Sequence, residues 1–211
     1  MQHKEFVDTK DYAFLPRDFA DNKKEETGGK LGSIFAQVLP YGVVINHEGK
    51  YLAYQRKGSE EGLRGQWSIG VGGHISQQDL YASVYPSNAS QVEYLPWLSE
   101  LILRGTQREL TEELGIHISM YNMPEDPMLA FDRIINMSES IVDRVHVAYI
   151  HNVMLDEAQS LSLNLDPSEF GDNWCWATAE ELLAGVDGFK DTGKPFENWS
   201  KVIIEAMRVV G

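Results

Sequence analysis

Glu100-Leu101-Ile102-Leu103-Arg104-Gly105-Thr106-Gln107-Arg108-Glu109-Leu110-Thr111-Glu112-Glu113-Leu114-Gly115-Ile116 is the stretch on which the reading of this chain turns. At ~100° per residue it predicts a helix on which Glu109, Glu112 and Glu113 share an arc of about 100°, with Leu103, Leu110 and Leu114 on another face. One face therefore packs inward and another presents three carboxylates. Like charges at i, i+4 cost a helix a few tenths of a kcal/mol, and a cation would relieve them. Hard oxygen donors with room left for water and phosphate suit Mg2+ or Mn2+ better than zinc, which prefers His and Cys. Gly105 lies on the carboxylate side. Glycine costs ~1 kcal/mol against alanine inside a helix, so its place there predicts space for a ligand or for close backbone packing.

Upstream, Gly65-Gln66-Trp67-Ser68-Ile69-Gly70-Val71 runs into Gly72-Gly73-His74-Ile75. Together these segments resemble the Nudix box: Gly, five residues, Glu, seven residues, Arg-Glu, an aliphatic residue, any residue, Glu-Glu, any residue, Gly, aliphatic. Glu100, Arg108-Glu109, Leu110, Glu112-Glu113, Gly115 and Ile116 meet its second half, and Gly72-Gly73 its opening. Roughly twenty extra residues, about Gln77 to Trp97, interrupt the box after Gly73.

The resemblance implies an α+β Nudix fold, a mixed β-sheet sandwiched between α-helices, and a metal-dependent hydrolase that cleaves a diphosphate linkage in a nucleoside diphosphate joined to another moiety. It implies Mg2+ (or Mn2+) held by Glu109, Glu112 and Glu113, with the Gly72 carbonyl as a further ligand. Catalysis would fall to Glu109, Glu112, Arg108 and Glu169, with Arg108 bracing the Glu side chains by an ion pair and Glu169 or Glu112 as general base; Asp172 and Glu139 are alternatives. Arg56 and His74 would touch substrate, although a surface cation and a structural histidine explain them as simply. Gly73, Glu100 and Gly115 would shape the box.

Two other readings share this fold. A non-catalytic Nudix-like binding protein would usually have lost box carboxylates, and these are present. An isopentenyl-diphosphate-isomerase-like enzyme needs a cysteine near the Gly-His stretch, whereas Cys175 lies far from it in sequence.

The composition, 43% hydrophobic, fits a globular protein. At 211 residues the chain can bury a sizeable core, and a net charge of -14 argues against gripping nucleic acid through its phosphates. A single cysteine excludes an intramolecular disulfide framework, and Trp174 and Trp176 beside it suggest a packed strand residue. No apolar run suits a signal peptide or a membrane span. The expectation is a cytoplasmic protein taking a small nucleotide or diphosphate substrate, with a homodimer left open.

Along the chain, residues 1–32 read as an arm and 33–211 as the Nudix domain, with the insertion at 77–97. Strands are expected over Ile34–Asn46, Tyr51–Arg56, Trp67–Ile75, Met128–Ile135 and Arg144–Val153, and a short one at Trp174-Cys175-Trp176. The aromatic insertion (Tyr81, Tyr85, Tyr94, Trp97) suggests a lid or wall that helps choose the substrate. Thr178 and Glu181 predict a capping box opening a helix that Gly185 closes, and Phe196, Trp199, Val202, Ile203 and Met207 predict a final amphipathic helix.

Overall fold

The computed structural model describes residues 37–57, 63–81, 98–117, 131–135 and 146–208. The expected arm at 1–32, the insertion from residue 82 to 97, and the turn carrying Glu139 and Asp143 lie outside the described residues.

The apolar run Gln37–Ile45 forms strand β1. It ends at Asn46, whose side-chain oxygen accepts the amides of Glu48 (3.0 Å) and Lys50 (2.8 Å). That turn leads into β2, Tyr51–Arg56, with Ile45 opposite Tyr51 in an antiparallel pair.

The strand expected over Trp67–Ile75 is instead two short ones, β3 (Trp67–Ser68) and β4 (Gly70–Val71). β3 pairs with β2 and β4 with β1, so the chain changes partner at Ile69. The reason is local. The Ile69 amide donates to Ser200 Oγ (3.0 Å) instead of to a strand, while Ser68 Oγ accepts the Gly70 amide (3.2 Å) and donates to Glu197 Oε1 (2.9 Å). Residues 72–76 carry no regular structure. With β5 at Phe131–Ile135, β6 at His146–Met154 and β7 at Phe170–Ala177, strand order by hydrogen bonding is β3-β2-β1-β6-β5, with β4 on β1 and β7 on β2.

The chain divides into two compact units, each assembled from separate stretches. The first takes residues up to Tyr41, Gly72–Arg108 and Ile118–His151. It holds helix α1 (Gln78–Tyr81), most of α2 (Leu98–Leu114), β5 (Phe131–Ile135) and most of β6 (His146–Met154). β5 and β6 pair antiparallel, with Ile135 opposite Ala148. Its apolar cluster joins Leu98 and Ile102 of the helix to Val147 and Tyr149 of β6, with Val38 and Ile75 against it.

The second unit takes Gly42–Val71, Glu109–His117 and the chain from Asn152. It holds α3 (Glu157–Leu161), β7 (Phe170–Ala177), α4 (Ala179–Ala184) and α5 (Asn198–Met207). β7 lies along β2 with Leu52 opposite Trp176 and Ala53 opposite Cys175. Cys175 is thus a half-buried strand residue, its thiol pushed up by burial. The buried Trp67 ring meets Phe189 edge-on at 4.8 Å, and Tyr54 stacks on Phe170 at 4.0 Å. The Thr178 capping box forms: Thr178 Oγ1 accepts the Glu181 amide and Glu181 Oε2 accepts the Thr178 amide. α5 buries Trp199, Ile203 and Ile204. No described helix is long and apolar enough to cross a membrane.

Candidate active site

The helix expected from 100 to 116 forms as α2, starting two residues earlier. Leu103, Leu110 and Leu114 are buried as the periodicity requires. Glu109 and Glu113, one turn apart, are buried at 9% exposure each, whereas Glu112 is exposed. The three acids therefore do not share one environment. A pair is drawn inward and its neighbour meets solvent.

Gly115 ends the helix. Its φ of +67° is left-handed, its amide donates to Thr111 O at 3.1 Å, and a Cβ there would lie 3.0 Å from Asn164 Cβ. The last carbonyls of the helix are then used by a distant stretch: Asn164 N donates to Leu114 O (2.9 Å) and Asp166 N to Glu113 O (2.8 Å). Asp166 turns the chain by accepting the Ser168 amide and hydroxyl, and Lys57 N donates to Glu169 O (2.9 Å). This stitching sets Glu169 beside the end of β2, where Arg56 lies, and within electrostatic reach of the helix acids.

The charges record that proximity. Glu113 is pushed up to about 9, first by burial, then by the charges of Glu109 and Glu169, and Arg56 opposes them. A hydrogen bond with Glu109 adds to the shift. The phenol of Tyr54, which donates to Gly70 O at 2.8 Å, is also held well above its ordinary range by burial and by Glu113. Among the described residues, however, no three His, Cys, Asp or Glu side chains converge as ligands around one point.

The remaining expected residues lie in the first unit. A Cβ on Gly72 would overlap the Pro40 carbonyl oxygen, so only glycine fits that bend. Gly105 resolves towards packing: a Cβ there would meet Pro40 Cγ at 3.1 Å and Ile75 Cγ1 at 3.5 Å. His74 is half-buried with its Nε2 3.2 Å from His146 Nε2, so it is not a lone histidine. Glu100 stands in the first turn of α2, half-buried.

Arg108 was expected to brace the helix acids. The structure gives it an ion pair with Asp79, a residue not singled out from the sequence. Arg108 Nε donates to Asp79 Oδ1 at 2.9 Å, and Nη2 donates to His74 O at 2.9 Å and Asp79 Oδ2 at 3.3 Å. The signal was present: Gly73, five residues, then Asp79 has the spacing of the opening half of the box. Glu100 has the family spacing to Arg108, seven residues on, so a count back from the second half selects Glu100 and a count on from Gly73 selects Asp79.

The α+β architecture and its box helix are those of the Nudix fold. Among solved structures, the chain is similar to Tm1382, a candidate Nudix hydrolase, at 20% identity and a TM-score of 0.58, covering 100% of this chain and 87% of that one. It is likewise similar to the MutT protein of Methanosarcina mazei Go1 at 17% identity and a TM-score of 0.51, covering 83% of this chain and 95% of that one. No protein-family model and no curated protein matches the sequence.

Proposed function

We propose that this protein is a divalent-metal-dependent hydrolase that cleaves the diphosphate linkage of a nucleoside diphosphate joined to another moiety. The observation that carries the reading is the buried pair Glu109 and Glu113, with Glu169 and Arg56 in electrostatic range. Burying carboxylates beside one another is unfavourable, and Arg56 and a proton offset it only in part. The donors are all oxygen, and their charge fits a hard cation such as Mg2+ or Mn2+.

Glu109 and Glu113 would hold that ion, with Glu112 reaching in from the exposed side of the same helix. When bound, the ion supplies charge neutralisation for the diphosphate and a lowered pKa for water. The chain supplies the rest. Arg56, at the end of β2, offers a guanidinium to the non-bridging phosphate oxygens. Glu169 takes a proton as water attacks: the water oxygen bonds to phosphorus, the bridging P–O bond breaks, and the departing phosphate carries off the electron pair. Such ions also explain how a chain of net charge -14 can accept an anionic substrate.

The test is phosphate and nucleotide release from a panel of nucleoside triphosphates, nucleotide sugars, dinucleotides and capped RNA, with Mg2+, with Mn2+ and with EDTA. Metal-dependent release is expected. Glu112→Gln should slow it on the order of a hundredfold or more with the fold retained. Binding of these compounds with no turnover under any condition would instead favour a ligand-binding protein.

A further inference from the structure

A buried polar network in the second unit plays no part in the chemistry proposed above. Ser68 and Ser200 are 0% exposed and Glu197 is 4% exposed. Glu197 stands just before α5, yet its carboxylate does not cap that helix. Its Oε1 instead accepts the hydroxyls of Ser68 (2.9 Å) and Ser200 (3.0 Å). The two serine oxygens in turn accept successive backbone amides, Ser200 Oγ that of Ile69 (3.0 Å) and Ser68 Oγ that of Gly70 (3.2 Å). A hydroxyl has a single proton to give. With the Ser68 proton on Glu197, the Gly70 carbonyl, also 3.0 Å from Ser68 Oγ, is served by the Tyr54 phenol at 2.8 Å. The backbone closes the same joint from Trp67: Glu197 N donates to Trp67 O (2.9 Å) and Trp67 N to Pro195 O (3.0 Å).

We infer that Glu197 and Ser200 are positioning residues for the proposed hydrolase: their hydrogen bonds lift the chain off β2 at Ile69 and deliver Gly70-Val71 to β1, so that the glycine bend beginning at Gly72 starts from a fixed point. β3 and β4 are two residues each, Ser68 lying opposite Tyr54 on β2 and Gly70 opposite Val43 on β1. So short a ladder holds its register weakly, and a slip of one residue would turn every side chain over. Between the two strands the Ile69 amide needs an acceptor, because a buried amide left without one is costly, and Ser200 Oγ supplies it. Glu197 keeps both hydroxyls turned towards itself, which leaves their lone pairs to the amides. The bend that follows is intolerant of a shift, since its backbone lies against the Pro40 carbonyl where a Cβ would overlap. The same network fixes the Gly70 carbonyl that orients Tyr54, a phenol within electrostatic range of Glu113.

The functional half of this inference rests on the hydrolase reading and the structural half does not, and the experiment separates them. Ser200→Ala, Glu197→Ala and Glu197→Gln are compared with Ile203→Val, which trims the buried face of the same helix and makes none of these hydrogen bonds. Hydrogen exchange at the Ile69 and Gly70 amides, Mn2+ affinity by electron paramagnetic resonance, and kcat and KM are read for each. In Ser200→Ala, exchange at Ile69 should rise on the order of tenfold, Mn2+ should bind several-fold more weakly, and turnover should fall through kcat more than KM. Glu197→Ala should do the same at both amides. Glu197→Gln retains an accepting oxygen and should recover most of the loss, and Ile203→Val should leave all readings near wild type. If Glu197→Ala fails to fold, Ser200→Ala and Glu197→Gln carry the test. Wild-type exchange at Ile69 in Ser200→Ala overturns the inference, as do equal effects in Ile203→Val. Raised exchange with wild-type Mn2+ affinity and kcat overturns its functional half. If the wild-type protein takes up no Mn2+ and turns over no substrate, the hydrolase reading falls together with that half, while exchange at Ile69 still decides the structural one.

Discussion

Glu113 shows what one position on a helix can do once it is buried. Burial and the charges of Glu109 and Glu169 outweigh Arg56 and push its carboxyl up to about 9. A divalent ion needs that oxygen deprotonated. Mn2+ uptake at pH 7 should therefore release close to one proton per ion, measured by calorimetry in buffers of different ionisation enthalpy. Glu113→Gln should release none and should bind the ion far more weakly. Proton-neutral uptake by the wild-type protein would mean that the pair is not the ligand. Asp79 makes the complementary point: its place is legible from Gly73 onward by counting, yet its partner Arg108 is 29 residues away in sequence.

At the scale of elements, the helix, its apolar face and its glycine terminus were legible because each depends on neighbours within about one or two turns. Gly115→Ala should cost roughly 1–2 kcal/mol in urea unfolding, since the left-handed φ alone costs a residue with a Cβ about that much and Asn164 Cβ already stands 3.0 Å from the site. An unchanged midpoint would show that the turn relaxes freely. The capping box at Thr178 and Glu181 was legible for the same local reason. The strand over Trp67–Ile75 was not. Its alternation continues through Ile69, and only Ser200, 131 residues on, takes the amide that breaks it.

For the molecule as a whole, burial of a histidine beneath α2 contributes one part of the response to acid. His151 lies on β6, its Nδ1 3.2 Å from Thr106 Oγ1, and burial lowers its pKa to about 3. The unfolded chain binds that proton near pH 6.5 and the folded chain does not. The sign follows: the stabilisation is fully present above pH 6.5 and drains as pH falls towards 3, at up to ~1.4 kcal/mol per unit. Between pH 6.5 and 5 the loss from this residue should be about 2 kcal/mol, read as the difference in urea stability between the wild-type protein and His151→Gln. Parallel pH profiles for the two would remove His151 as the cause.

The sequence by itself determined the box helix, the glycine that ends it, the capped helix after β7 and the chemical character of the acids, because periodicity, caps and charge are short-range properties of the chain. Tertiary structure alone decided which acids are buried, that Arg108 meets Asp79, that Glu169 is brought to Glu113, and where the strand after Trp67 breaks. Those outcomes depend on contacts between residues far apart along the chain, and burial, which sets their energies, exists only once the chain has closed on itself.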